Sequence, residues 1–216
     1  MANMASTLDY IINKYHLKVG RQYIIVEIPN INRDDLAKLF AELGFTLGAE
    51  IGVLAGGYSE VLCQVNPKLK LFSIDSWKTT AYEPKLSSPT YSQRQFDNFY
   101  RQAKRRLSPY NCHISKKESQ AAVGDFKDAS LDFVYIDANH DFVNVATDLH
   151  TWKKKVKSGG IISGHDYAYF PSWKYNHVKH VLLAYTKAYG IKPLFIVGTD
   201  GGKVRDRFRS WFFVNA

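Results

Sequence analysis

A chain of 216 residues is long enough for one domain with a full core. Its 45% apolar and 14% aromatic content excludes a disordered chain, and no apolar run is long enough to span a bilayer. The net charge of +9 raises nucleic acid as a partner, but the basic runs "RQAKRR" (101–106) and "WKKKVK" (152–157) fall on helical patterns without any nucleic-acid motif.

In chain order, the opening "MANMASTLDYIINKYHLK" lacks the basic-then-apolar plan of a signal peptide, so a cytoplasmic protein is expected. "NRDDLAKLFAELG" (32–44) reads as a helix, capped by Asn32, with Asp34 and Asp35 in its first turn and Gly44 at its end. From there the pattern alternates. "GAEIGVLA" is a strand and "YSEVLCQV" a helix; "LKLFSID" is a strand, followed after a polar stretch by the helix "SQRQFDNFYRQAKRRL". "NCHISK" is a strand and "ESQAAVGDF" a short helix; "LDFVYID" is a strand and "FVNVATDLHTWKKKV" its helix; "GGIISG" is the next strand, before a helix near "HVKHVLLAYTKAYG". "KPLFIVG" and "RSWFFVN", joined through "TDGGKVRDR", close the chain as a hairpin. Cys63 and Cys112 are too few for a disulfide framework and lack metal-site spacing, as suits thiols in a reducing compartment.

Alternating, near-continuously apolar strands and helices predict an α/β fold: a doubly wound, mostly parallel, seven-stranded sheet with an antiparallel C-terminal hairpin at one edge. A single domain over 1–216 is expected, with a helical extension at 1–45 and a cofactor-binding core at 46–216. Ligands of such sheets bind beyond the carboxyl ends of the strands. That rule sends Gly52–Gly57, Asp75, Ser119, Asp137, His165 and Asp166 to one rim.

Gly52 lets the chain turn sharply, and Gly56 and Gly57 permit close approach of a ligand, with Glu50 and Ser59 as polar contacts. Asp75 ends the next strand, where a carboxylate accepts hydrogen bonds from ribose hydroxyls. Ser119 and Gln120 follow the third strand and can meet a base edge, or simply start a helix. An adenosine-type cofactor fits these positions. Neither G-x-G-x-x-G nor a P-loop is present, so the signatures of pyrophosphate and triphosphate are missing. S-adenosylmethionine carries no phosphate.

"IDANH" and "GHDY" form a second group. If their strands are neighbours, the tips lie ~5 Å apart. Asp137, Asp166 and His165 could then share magnesium or manganese, or form a hydrogen-bonded rim without metal. His140 can serve as a general base near neutral pH. Asp141 is read as a helix cap.

Taken together, "GAEIGVLAGGYS", "LFSIDSW", "KKESQAA", "LDFVYIDANHDF" and "VKSGGIISGHDY" resemble the class I S-adenosylmethionine-dependent methyltransferases. The nearest group is the small O-methyltransferases of the catechol and caffeoyl-CoA type and their bacterial relatives acting on sugars and antibiotics. The resemblance spans residues 30–170. It implies that Glu50, Gly52, Gly56 and Ser59 surround the methionine end of the cofactor. It puts Asp75 on the ribose with Ser76 and Trp77 beside it, and Ser119 and Gln120 on the adenine. Asp137, His165 and Asp166 fall on the metal positions, and His140 on the proton acceptor. The loop departs from the pattern by one extra glycine, Gly57, and His165 stands where metal-dependent members usually carry a carboxylate. The implied reaction is methylation of a hydroxyl on a small sugar, phenolic or anionic metabolite. A homo-oligomer stays open, and so do a nicotinamide-dependent oxidoreductase and a non-catalytic RNA- or partner-binding module. The loops at 78–92 and 167–177 are expected to wall the acceptor pocket.

Overall fold

The computed structural model describes residues 6–20, 25–79, 91–168, 176–198 and 208–216. Most of the two expected acceptor loops, and the turn at 199–207, lie outside these residues.

The N-terminal segment supplies two helices and a strand. Helix α1 (Thr7–Lys14) opens on a capping box between Ser6 and Asp9, and α2 (Arg33–Glu42) on one between Asn32 and Asp35. Each box pairs side-chain oxygens with backbone N–H groups that a first turn leaves without partners. Between the helices lies β1 (Ile25–Ile28), a strand that the sequence reading passed over.

There follow β2 (Leu47–Ile51), α3 (Gly57–Val65), β3 (Lys70–Asp75), α4 (Gln93–Leu107), β4 (Cys112–Lys116) and α5 (Ser119–Ala122). The chain continues with β5 (Leu131–Ile136), α6 (Phe142–Lys153), β6 (Val156–Gly164), α7 (Val178–Ala188), β7 (Leu194–Val197) and β8 (Trp211–Val214). The strands form one sheet in the order β1-β7-β8-β6-β5-β2-β3-β4. Strand β8 runs antiparallel to both its neighbours, and the other pairs are parallel.

The doubly wound, mostly parallel α/β architecture is as expected, with two corrections. The sheet has eight strands among the described residues, not seven, because β1 pairs with β7 from Ile25–Leu194 to Ile28–Val197. The antiparallel strand is also not at the edge: β8 lies between β6 and β7, and β1 takes the edge. The physical reason is the open backbone rim that β7 would otherwise present. Strand β1 covers it, buries Ile28, and is tied by Glu27 to Arg209 at 2.8 Å.

Apolar layers cover both faces. Ile11, Leu36, Phe40 and Leu62 of α1–α3 pack on Phe133 and Phe195. Val145, Leu149, Trp152 and Leu182 of α6 and α7 pack on Val134 and Ile162. Each fully buried large side chain contributes ~1.5–3 kcal/mol, so these layers hold the sheet rigid under whatever sits at its rim. Strand β2 has β3 on one side and β5 on the other. The crevice of a doubly wound sheet opens at this reversal, beyond the strands' carboxyl ends.

Candidate active site

The loop between β2 and α3 is shaped by backbone geometry. Gly52 has φ +90°, and a Cβ there would lie 2.1 Å from the Asp137 carbonyl oxygen. Only glycine allows β2 and β5 to converge so closely at their ends. Gly56 (φ +79°) opens α3, whereas a Cβ at Gly57 would meet only the Arg106 guanidinium at an ordinary 3.7 Å. The chain itself therefore does not need close approach at Gly57.

Asp75 organises this loop. Its Oδ2 accepts the N–H groups of Val53 and Leu54, each at 2.9 Å, and its Oδ1 accepts that of Trp77 at 2.8 Å. Oδ2 is thereby filled, and Oδ1 still has acceptor capacity to spare. Trp77 is fully buried and donates its indole N–H to the Leu54 carbonyl at 2.7 Å, so its ring braces the loop. Ser76 follows Asp75 and loosely accepts the Lys78 N–H at 3.4 Å. Beneath the loop, Glu50 is 2% exposed and accepts a hydrogen bond from Ser59 Oγ, which also meets Ser73 Oγ at 2.7 Å. Burial raises the Glu50 carboxyl well above the usual range, against the hydrogen bond from Ser59.

The second group gathers at the ends of β5 and β6. Gly164 lets β6 finish against its neighbours, since a Cβ there would lie 2.4 Å from the Ile136 carbonyl and 2.5 Å from the Trp211 ring. The chain then bends. Trp211 Nε1 donates to the His165 carbonyl at 2.9 Å, and Asp166 takes a left-handed φ of +60°. Such a conformation costs an L-residue on the order of 1–2 kcal/mol, which the surrounding contacts must offset. Tyr167 returns to the core, donating its N–H to Arg209 O at 3.0 Å. The polar trio that ends β6 therefore divides: His165 and Asp166 face the crevice, and Tyr167 anchors the exit.

His140 Nε2 lies 2.8 Å from Asp166 Oδ2 and 3.8 Å from Asp137 Oδ1. His165 Nδ1 lies 3.4 Å from Asp166 and 4.0 Å from Asp137. Donor atoms of Asp137, His140 and Asp166 all fall within 4.8 Å of one another. The compact trio thus contains His140, where the sequence reading grouped His165 with the two acids. Burial alone would lower the His140 imidazole, but Asp137 and Asp166 outweigh it and raise its pKa to about 10. Burial would raise Asp166, but His140 and His165 hold it well below the usual carboxylate range. In this arrangement His140 carries its proton at neutral pH. Asp141 caps α6 as expected, accepting from Val143 and Asn144 at 3.1 Å.

Ser119 and Gln120 are engaged within the chain. Ser119 Oγ donates to Asp148 Oδ1 at 2.5 Å, Gln120 Nε2 donates to it at 2.7 Å, and Trp152 Nε1 donates to Ser119 Oγ at 2.8 Å. Sequence reasoning assigned no role to Asp148. Its signal was available: an acid on the apolar face of α6, in helical step with Val145, Leu149 and Trp152. Asn176 and His177 were expected only as part of the acceptor-pocket wall. Asn176 Nδ2 donates to the Asp166 carbonyl at 3.1 Å; His177 donates its N–H to His140 O at 2.8 Å and accepts from Phe142 N at 3.0 Å. Both position the acidic corner from the start of α7, which no local pattern announces.

No curated protein matches the chain by sequence. Among solved structures, the chain is similar to the O-methyltransferase TomG from Streptomyces achromogenes, involved in tomaymycin synthesis and solved with SAM. Identity is 17%, coverage 96% of this chain and 87% of that one, and the TM-score 0.56. An O-methyltransferase from Bacillus cereus, solved with SAH, is 13% identical, with 99% and 93% coverage and a TM-score of 0.57. Spermidine synthase from Thermotoga maritima matches at 11% identity, over 87% of this chain and 61% of that chain, with a TM-score of 0.58. At such identities the likeness is one of fold, and fold alone does not fix chemistry. Sequence adds what fold cannot: the methyltransferase-domain model matches residues 49–167, over half of the chain, and the protein belongs to the class I S-adenosylmethionine-dependent methyltransferases.

Proposed function

We propose that the protein methylates a hydroxyl group of a small molecule at the crevice between the glycine loop and the Asp137–His140–Asp166 corner. S-adenosylmethionine supplies an electrophilic methyl group on a positively charged sulfur. The residues around it have separable tasks. Asp75 accepts a ribose hydroxyl through the spare lone pair of Oδ1 while keeping the loop in shape. Glu50 and Ser59, with the Gly52–Gly57 backbone, form the wall for the methionine end. Ser119 and Gln120, held by Asp148, line the adenine. Asp137 bridges the cofactor and acceptor sides. Methyl transfer is an in-line displacement, so holding oxygen and methyl on one axis is worth roughly 7–11 kcal/mol of the barrier.

The proton needs a destination. His140 is assigned to receive it, and its present pairing explains how it would be switched on. The two acids keep the imidazole protonated; positive charge brought between them weakens that hold and returns the pKa toward the ordinary 6.5. A neutral imidazole can then accept the hydroxyl proton, a contribution on the order of 10²–10⁴-fold. The two carboxylates, with His165 Nδ1 at 3.4 and 4.0 Å from them, also fit a divalent ion with mixed oxygen and nitrogen ligands. Asp137 and Asp166, with His165, would hold magnesium or manganese, which would lower the pKa of the acceptor hydroxyl and leave His140 to take its proton.

The observation that carries this reading is the convergence of Gly52 and Asp137, which sets the acidic corner directly beside the glycine loop. Calorimetry should detect binding of S-adenosylhomocysteine and none of NAD. With labelled S-adenosylmethionine and a panel of phenols and sugars, Asp137→Ala and Asp166→Ala should each lose at least ~100-fold in turnover while keeping a cooperative unfolding transition. Normal turnover in both variants, or absence of S-adenosylhomocysteine binding, would rule the reading out.

A further inference from the structure

The basic run at 101–106 carries no motif, but folding sets part of it beside a second cationic element. Helix α4 holds five cations and one acid, Asp97. Arg106 turns to the glycine loop, pairing with Glu60 at 3.1 Å and donating to the Ala55 carbonyl at 2.9 Å. Arg101, Lys104 and Arg105 stay exposed, as does Lys116 at the end of β4. Among the described residues, no carboxylate pairs with any of these four. Elsewhere Lys14, Lys38, Lys155 and Lys157 are each held by an acid at 2.7–2.9 Å. Like charges three and four residues apart on a helix repel, so this concentration costs α4 stability unless an anion meets it.

Tyr100 gathers two of the four. The Lys116 ammonium lies over its ring at 4.8 Å and the Lys104 ammonium at 5.7 Å, within cation–π range. Lys104 also lines a cleft between α4 and β4, with Tyr110 and His113. Strand β4 is the last of the sheet, and successive side chains of a strand point to opposite faces. His113 lines the cleft all the same, together with Cys112 and Ile114. The cleft therefore wraps the open edge. Phe72 meets the His113 ring at 5.6 Å and carries the Lys70 ammonium at 5.2 Å. Cations and rings thus sit together along one edge of the molecule.

That mixture selects a ligand. Spaced cations match a phosphate backbone, and rings match the flat faces of unstacked bases. A bilayer surface would ask for exposed apolar side chains to bury. The large exposed ones among the described residues, Ile25, Leu54, Phe142, Val143 and Tyr189, lie outside α4 and β4.

We propose that this edge binds single-stranded nucleic acid, with Arg101, Lys104, Arg105 and Lys116 on the phosphates and the rings of Tyr110 and His113 against the bases. Lys116 is the register partner of Asp75, whereas Asp137 follows β5, three strands and roughly 15 Å away. The nucleic acid is therefore a partner bound beside the crevice, not the methyl acceptor. Neither the binding nor its test rests on the methyl-transfer reading.

The test uses the full chain without cofactor and a fluorescein-labelled single-stranded RNA of about 12 nucleotides, followed by anisotropy. Binding should saturate at 50 mM salt. Four phosphate contacts predict an affinity roughly 50-fold weaker at 200 mM. Lys104→Glu combined with Arg105→Glu should cost at least ~10-fold and flatten the salt dependence, with cooperative unfolding retained. The same charge change elsewhere, Lys154→Glu with Lys187→Glu, should cost less than ~3-fold. His113→Ala should cost at least ~5-fold with the salt dependence unchanged, the signature of a lost stacking ring. A duplex of equal length should bind at least ~10-fold more weakly, because its bases are paired and stacked away from the cleft. Absence of saturable binding, equal losses in the two charge-reversed variants, or an unaffected His113→Ala would overturn the proposal. So would a duplex that binds as tightly, or oligoglutamate that displaces the RNA as well as unlabelled RNA does. Sedimentation with phosphatidylserine vesicles, in a protein that leaves the RNA unbound, would reassign the edge to membranes and overturn it too.

Discussion

Asp148 places a carboxyl where α6 meets the core, 4% exposed among Val145, Leu149 and Trp152. Burial raises its pKa above the ordinary 3.8, and hydrogen bonds from Ser119 and Gln120 offset only part of that. A carboxyl raised by folding holds its proton more tightly in the folded state. Its share of stability is intact below the ordinary pKa and declines as pH climbs through the raised value. Asp148→Asn keeps an oxygen to accept both bonds and has no charge to bury. Its urea midpoint should gain on the wild type's across that window and then stay a constant distance from it. A difference that stays constant from about pH 4 to 7 would refute the assignment. Asp137, His140 and Asp166 were legible in the sequence because each follows an apolar run that had to be a strand. Which imidazole faces which acid was not legible. It depends on the left-handed turn at Asp166, and on Asn176 and His177, which hold that corner from another element.

Elements with several turns or a long apolar run announced themselves. The Asn32 cap, Gly44 and the stripe of Leu36, Leu39 and Phe40 located α2, and the strands at β2, β3 and β5 were found within a few residues. Strand β1 escaped because only Ile28 of its four residues is buried. Four residues carry too little alternation to read, and what makes them a strand is the open edge of β7, far along the chain. Ile28 should therefore matter to stability and not to the site. Ile28→Ala is expected to lose ~2–3 kcal/mol in urea unfolding, as for other large-to-small changes in a core. Its affinity for S-adenosylhomocysteine should match the wild type's. A tenfold weaker affinity would mean that β1 reaches the crevice energetically after all.

The whole sheet divides into a part that sequence could order and a part that it could not. From β2 to β6, strand–helix–strand units with right-handed crossovers leave few arrangements, and the rim residues could be assigned from them. The last two strands obey no such unit. Strand β8 pairs with β6, some fifty positions upstream, and sits between β6 and β7. Its Trp211, Phe212 and Phe213 are almost fully buried. A chain stopped after residue 208 should therefore unfold without a sharp transition, and denaturant titration by tryptophan fluorescence would show it. Cooperative unfolding of that shortened chain would contradict this view of the sheet.

Trp211 also fastens the bend at His165. During synthesis the acidic corner consequently acquires its final geometry only after Trp211, 46 positions downstream of His165, has left the ribosome. Translation itself then acts as a timer: an unfinished copy that lacks Trp211 emerges without the strand that fastens this bend.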